Sequence, residues 1–130
     1  MKTTSIIARV LLGLVFFVFG LNGFLHFIPQ PPMSGLPAAF MGGLAQSGYF
    51  FPLLKGTETL VGFLLLTGYL VPLALVILTP VLLNIFLFHL FLAPGALGLP
   101  VLLLVLHVVL TISNWSLYKA FFNGKNAWNA

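Results

Sequence analysis

Aspartate and cysteine are both missing from this chain of 130 residues, and acid of any kind occurs once, at Glu58. Without cysteine there can be no disulfide, no thiolate metal ligand and no Fe–S cluster held by thiolates. Charge is scarce as well. Charged residues make up 5% of the chain and hydrophobic ones 61%, with a mean hydropathy of +1.19. Soluble domains carry about 25% charged residues, so this composition describes an integral membrane protein. The formal net charge of +4 comes from five scattered cations. They form no basic patch, which argues against nucleic acid as a partner.

Each membrane-crossing helix needs about 20 apolar residues, so the length allows four spans and little else. The apolar runs predict helices over 6–28, 50–70, 73–92 and 99–122, with a short interfacial helix over 36–47. The expected fold is all-α: an antiparallel four-helix bundle in the lipid bilayer, one domain over 1–130. The first run has basic residues before it, Lys2 and Arg9. Its apolar core is too long for a signal peptide, and no A-x-A-like cleavage site follows. It reads as a retained helix, with Arg9 reaching for the headgroups. Pro29, Pro31, Pro32 and Pro37 break the chain after it. In 36–47, Leu36, Phe40 and Leu44 recur at helical spacing, as a lid over the bundle would. Pro80 should kink the third helix, and the tail 123–130 is polar and should fray. Lys2, Arg9, Lys119 and Lys125 fall on one side of a four-span layout and Lys55 on the other. The positive-inside rule then places both termini in the cytoplasm.

Glu58 sits inside the second apolar run, where an ionised carboxylate is costly and by default functional. Lys55 is three residues earlier, on the same helix face. Counted at about 1.5 Å per residue from the outer ends, Asn22, His26, Lys55, Glu58, Asn84, His89 and His107 all fall in the outer half. Polar groups at matched depth should turn inward and satisfy one another. The expected result is one outward-facing polar cavity centred on Glu58 and Lys55, which would act in catalysis. His107, Asn84, His89, Asn22 and His26 would line it and bind a ligand. No two His have the spacing of a di-metal bundle, and Lys55 opposes a cation, so no metal is expected. A bis-His haem would need His26 and His89 at equal depth. Quinone fits better as a cofactor: His, Asn and Lys can donate to its carbonyls, and fourteen Phe supply apolar surface.

Arg9-x3-Gly13-x2-Phe16-x3-Gly20-x2-Gly23, Glu58-x3-Gly62-x5-Gly68 and Asn84-x4-His89 together resemble the DoxX family of small four-span membrane proteins. The resemblance runs over nearly the whole chain in length and span layout. The family often has Lys where this chain has Asn22-Gly23, so a cationic role there does not carry over. The resemblance implies a bacterial cytoplasmic membrane location and a redox connection. Members are similar to the small subunit of a thiosulfate:quinone oxidoreductase and quinol oxidase complex. The expected function is therefore an accessory membrane subunit of a quinone oxidoreductase, with a partner redox subunit or further copies of itself. Two other readings stand beside it: a noncatalytic assembly subunit, and a small transporter.

Overall fold

The computed structural model describes residues 2–29 and 32–122, and all regular structure among them is helical. The order is α1 (Lys2–Leu25), α2 (Gly35–Gln46), α3 (Phe50–Thr67), α4 (Val71–Leu92), α5 (Gly98–Ser113) and α6 (Trp115–Tyr118). Single 3₁₀ turns follow α4 and α6, at Pro94–Ala96 and Lys119–Phe122. The expected fraying of 123–130, and Lys125 with it, lie outside the described residues.

Proline marks the helix starts. Pro37, Pro52, Pro72 and Pro100 each stand in the first turn of α2, α3, α4 and α5. There the missing N–H has no intrahelical partner to lose. The ends use the left-handed region. Gly68 has φ 76° and donates its N–H to the Leu64 carbonyl at 3.0 Å, which closes α3. Leu70 follows at φ 53°, and the chain reverses into α4. α1 stops at Leu25 rather than at the expected Ile28, because His26 turns left-handed at φ 54°. The Asn22 carbonyl accepts the His26 N–H at 2.8 Å, and the Asn22 side-chain oxygen accepts the Ile28 N–H at 2.7 Å. Nothing in Lys2–Ser5 breaks a helix, so α1 also starts earlier than residue 6.

The expected continuous helix over 99–122 is broken. α5 and the segment Trp115–Phe122 meet at 71°. The cause is local competition for carbonyls. Asn114 leaves helical geometry at φ −107°, ψ 15°, and its side-chain amide donates to the Leu110 carbonyl at 2.8 Å. The Ser113 hydroxyl takes the Val109 carbonyl at 2.9 Å. The Tyr118 hydroxyl then fastens the bent segment to α4, donating to the Pro72 carbonyl at 2.6 Å.

Helices α1, α3 and α4 are each long and apolar enough to cross a membrane, and the bent pair makes a fourth if it counts as one span. This is the pattern of a multi-pass membrane protein. α1 packs chiefly on α3, α4 on α5, and α3 on α4, with α5 returning to α1. Leu12, Phe16, Val61, Leu65, Leu78 and Leu82 are among the side chains that meet at the centre.

The α1–α3 contact is built on glycine. A side chain at Gly62 would fall on the Phe17 backbone, and one at Gly13 on Leu65 and Leu66. Gly20 lies against Thr59, and Gly23 against the Lys55 stem. Residue numbers fall along one helix as they rise along the other, so the two run antiparallel. Small residues let the backbones approach closely enough for dispersion to hold helices together where no water drives them. Arg9 does not reach out toward headgroups. Its guanidinium donates to the Leu65 and Leu66 carbonyls at 2.6 and 3.2 Å, at the end of α3 where free carbonyls concentrate partial negative charge. The lid is a light one: α2 buries no residue, and its clearest contact is Phe40 on Phe88, ring centroids 5.7 Å apart.

Candidate functional site

The seam register decides what surrounds Glu58. With Gly20 opposite Thr59 and Gly23 opposite Lys55, the Lys55–Thr59 turn of α3 faces the last full turn of α1. Asn22 lies in that turn and is buried, as is Glu58. Lys55 Nζ stands 3.5 Å from Glu58 Oε2, across three residues of one helix. The Glu58 side chain is 5% exposed and that of Lys55 26%. The Glu58 side chain is therefore enclosed, while that of Lys55 stays partly exposed, its stem laid over Gly23. Only a residue without a side chain leaves that path open. The Thr59 hydroxyl donates back to the Lys55 carbonyl at 2.8 Å, which ties the same turn down. An enclosed carboxylate needs a partner to offset its desolvation, and among the described residues Lys55 is its ion-pair partner.

The structure pairs Lys55 with Glu58 and places Asn22 on the facing turn of α1. Among the described residues, none of the other four expected residues is hydrogen-bonded to Lys55 or Glu58. His26 is exposed at the left-handed end of α1. Asn84 is exposed, and its amide donates to the Pro80 carbonyl at 3.1 Å on its own helix. His89 is likewise turned to its own helix, Nδ1 lying 2.7 Å from the Ile85 carbonyl. His107 is on the α4–α5 seam, its Nε2 2.9 Å from the Leu75 carbonyl and 3.2 Å from the Thr79 hydroxyl. Leu75 and Thr79 precede Asn84 by nine and five residues, so His107 sits roughly 8–13 Å from the Asn84 level along α4. The depth count failed because it gave height and not azimuth, and because α5 begins below the end of α4. The three imidazoles thus occupy separate places, and among the described residues no three of His, Cys, Asp and Glu gather as metal ligands would. Two open grooves are found on the α4–α5 face, and neither is lined by Lys55 or Glu58.

Sequence reading also missed the roles of residues that the structure puts to use. Arg9 closes α3, Tyr118 anchors the bend, and Thr79 and Thr111 flank His107. Isolated hydroxyls in apolar helices were the available signal for the last two. Comparisons of the chain with protein-family models, characterised proteins and solved structures give no match.

Proposed function

We propose that the chain is a DoxX-like four-helix subunit of a quinone-linked redox system in a bacterial cytoplasmic membrane, with both termini cytoplasmic. The observation that supports this best is the asymmetry of the Lys55–Glu58 pair: a Glu58 side chain 5% exposed, its Oε2 3.5 Å from the Nζ of a Lys55 side chain 26% exposed. An ion pair serving only to offset charge would have no need of a partly exposed member. In this reading Lys55 offers its N–H to a quinone carbonyl or a similar small acceptor. Glu58 holds the charge of Lys55 and takes or gives the proton, as a partly enclosed carboxylate beside a cation is placed to do. Electron transfer is assigned to a partner subunit. The test is a titration of purified protein with a short-chain quinone, wild type against Glu58→Gln. The variant is expected to bind about tenfold more weakly, the loss of one charge-assisted contact. Equal affinity would remove Glu58 from the site.

A second reading, a noncatalytic assembly subunit, has its own support. Asn22, Lys55 and Thr59 already have partners within the protein, each on or just beyond its own helix, which leaves them structural work to do without any ligand. It predicts that Glu58→Gln lowers stability and recovery of partner subunits and leaves quinone affinity unchanged.

A further inference from the structure

The turn between α3 and α4 joins two helices long and apolar enough to cross a membrane, so it lies where hydrocarbon gives way to head groups. Two cations are brought to it from elsewhere in the chain. Arg9 comes from α1: a carbon added at Gly68 would lie 2.9 Å from its Nη1 and 3.7 Å from its Nη2. Lys119 comes from beyond the α5–α6 bend. The Tyr118 hydroxyl donates to the Pro72 carbonyl at 2.6 Å, and Lys119 is the next residue and exposed. Gly68 and Pro72 flank the turn, and the chain from Thr67 to Leu70 is open to the surroundings.

No carboxylate side chain is at hand to answer these charges. Glu58 is the one acid of the chain. It precedes Gly68 by ten residues, about 15 Å along α3, and is paired with Lys55. Arg9 is only half committed. Both of its bonds, to the Leu65 and Leu66 carbonyls, come from Nη1. Its Nε and Nη2 have no acceptor among the described residues. These two nitrogens form one edge of the planar guanidinium, and their parallel N–H groups match two oxygens of a phosphate. The neighbouring side chains select what carries the phosphate. Tyr69, Leu70, Leu117 and Phe121 are exposed, Phe121 by 82%. A free anion gains nothing from such surroundings, whereas a phosphate attached to acyl chains does.

We propose that the α3–α4 turn is a binding site for the phosphate of an anionic phospholipid. The Nε–Nη2 edge of Arg9 takes two phosphate oxygens, Lys119 supplies a second cation, and the acyl chains lie over the apolar side chains that border the turn. The guanidinium stays drawn in against α3, and the lipid comes to it. This site lies some three turns of α3 away from Glu58 and stands apart from the quinone reading.

The test titrates the full chain in detergent with dioctanoyl phosphatidylglycerol, dioctanoyl phosphatidylcholine and inorganic phosphate, bound lipid being counted by native mass spectrometry. Phosphatidylglycerol should bind saturably and about tenfold tighter than phosphatidylcholine, whose own ammonium competes with the cations of the protein. Lys119→Gln should weaken phosphatidylglycerol about fivefold, the worth of one cation near a membrane surface. Lys2→Gln makes the same change in net charge about 10 Å along α1 from Arg9, and should leave binding as in the wild type. Arg9→Lys keeps the charge and loses the planar edge, so it should abolish most of the preference with circular dichroism unchanged. The two lipids binding alike, or Lys2→Gln weakening phosphatidylglycerol as much as Lys119→Gln, would overturn the proposal. Displacement of the lipid by inorganic phosphate would assign the turn to a soluble anion and overturn it as well.

Discussion

Gly62→Ala is the most demanding single change for the α1–α3 contact that holds the Lys55–Glu58 turn in place. The added carbon would lie 2.6 Å from the Phe17 Cα. Comfortable carbon–carbon contact begins at about 3.5 Å, so the helices must part by roughly 1 Å. Overpacking of that kind costs about 1–3 kcal/mol. Gly56, six residues earlier on the same helix, provides the control, since a carbon there meets nothing within 4 Å. Alanine should therefore stabilise at Gly56 by about 0.5–1 kcal/mol, the backbone entropy that glycine loses in a helix. Two identical substitutions on one helix should thus shift stability in opposite directions and differ by roughly 2–4 kcal/mol. Unfolding by SDS in mixed micelles, followed by circular dichroism, reads the difference. If Gly62→Ala unfolds with Gly56→Ala, the close approach of α1 and α3 is wrong, and with it the seating of Lys55 on Gly23.

Lys55→Met strips Glu58 of its ion-pair partner. It should cost more than the about 1 kcal/mol of an exposed pair and less than the about 3–5 kcal/mol of a fully buried one. Adding Glu58→Gln should restore part of that loss in the same titration, and a double variant no more stable than the single would show the two residues to be uncoupled. Tyr118→Phe removes the bond to the Pro72 carbonyl, worth about 1 kcal/mol. Amide exchange over 115–122 should then quicken about fivefold; unchanged protection would mean that something else holds the bend.

The start of α3 at Phe50 was readable from the sequence, since Pro52 and the apolar run after it leave few alternatives. The Gly13, Gly20 and Gly23 face was readable for the same reason: small residues at helical spacing have one use between helices. Glu58 with Lys55 was readable from cost alone. What escaped was direction around the helix axis. α4 is apolar on every side, so nothing in its pattern told which way Asn84 and His89 turn, and both bond to their own helix. The break at Asn114 escaped because a lone Asn in an apolar run changes hydropathy little, while its amide competes for the Leu110 carbonyl. Arg9 was given to the lipid surface because its acceptors, the Leu65 and Leu66 carbonyls, are backbone atoms that no side-chain pattern reveals.

The Arg9 bridge also bears on how the chain is made. The segment that carries the cation is made before the carbonyls that receive it, which belong to Leu65 and Leu66. Until that part of α3 has been synthesised, the Arg9 guanidinium is without these two acceptors. Assembly is ordered to that extent: the cation of α1 gains these two acceptors only once α3 has been made, whatever the intervening α2 does.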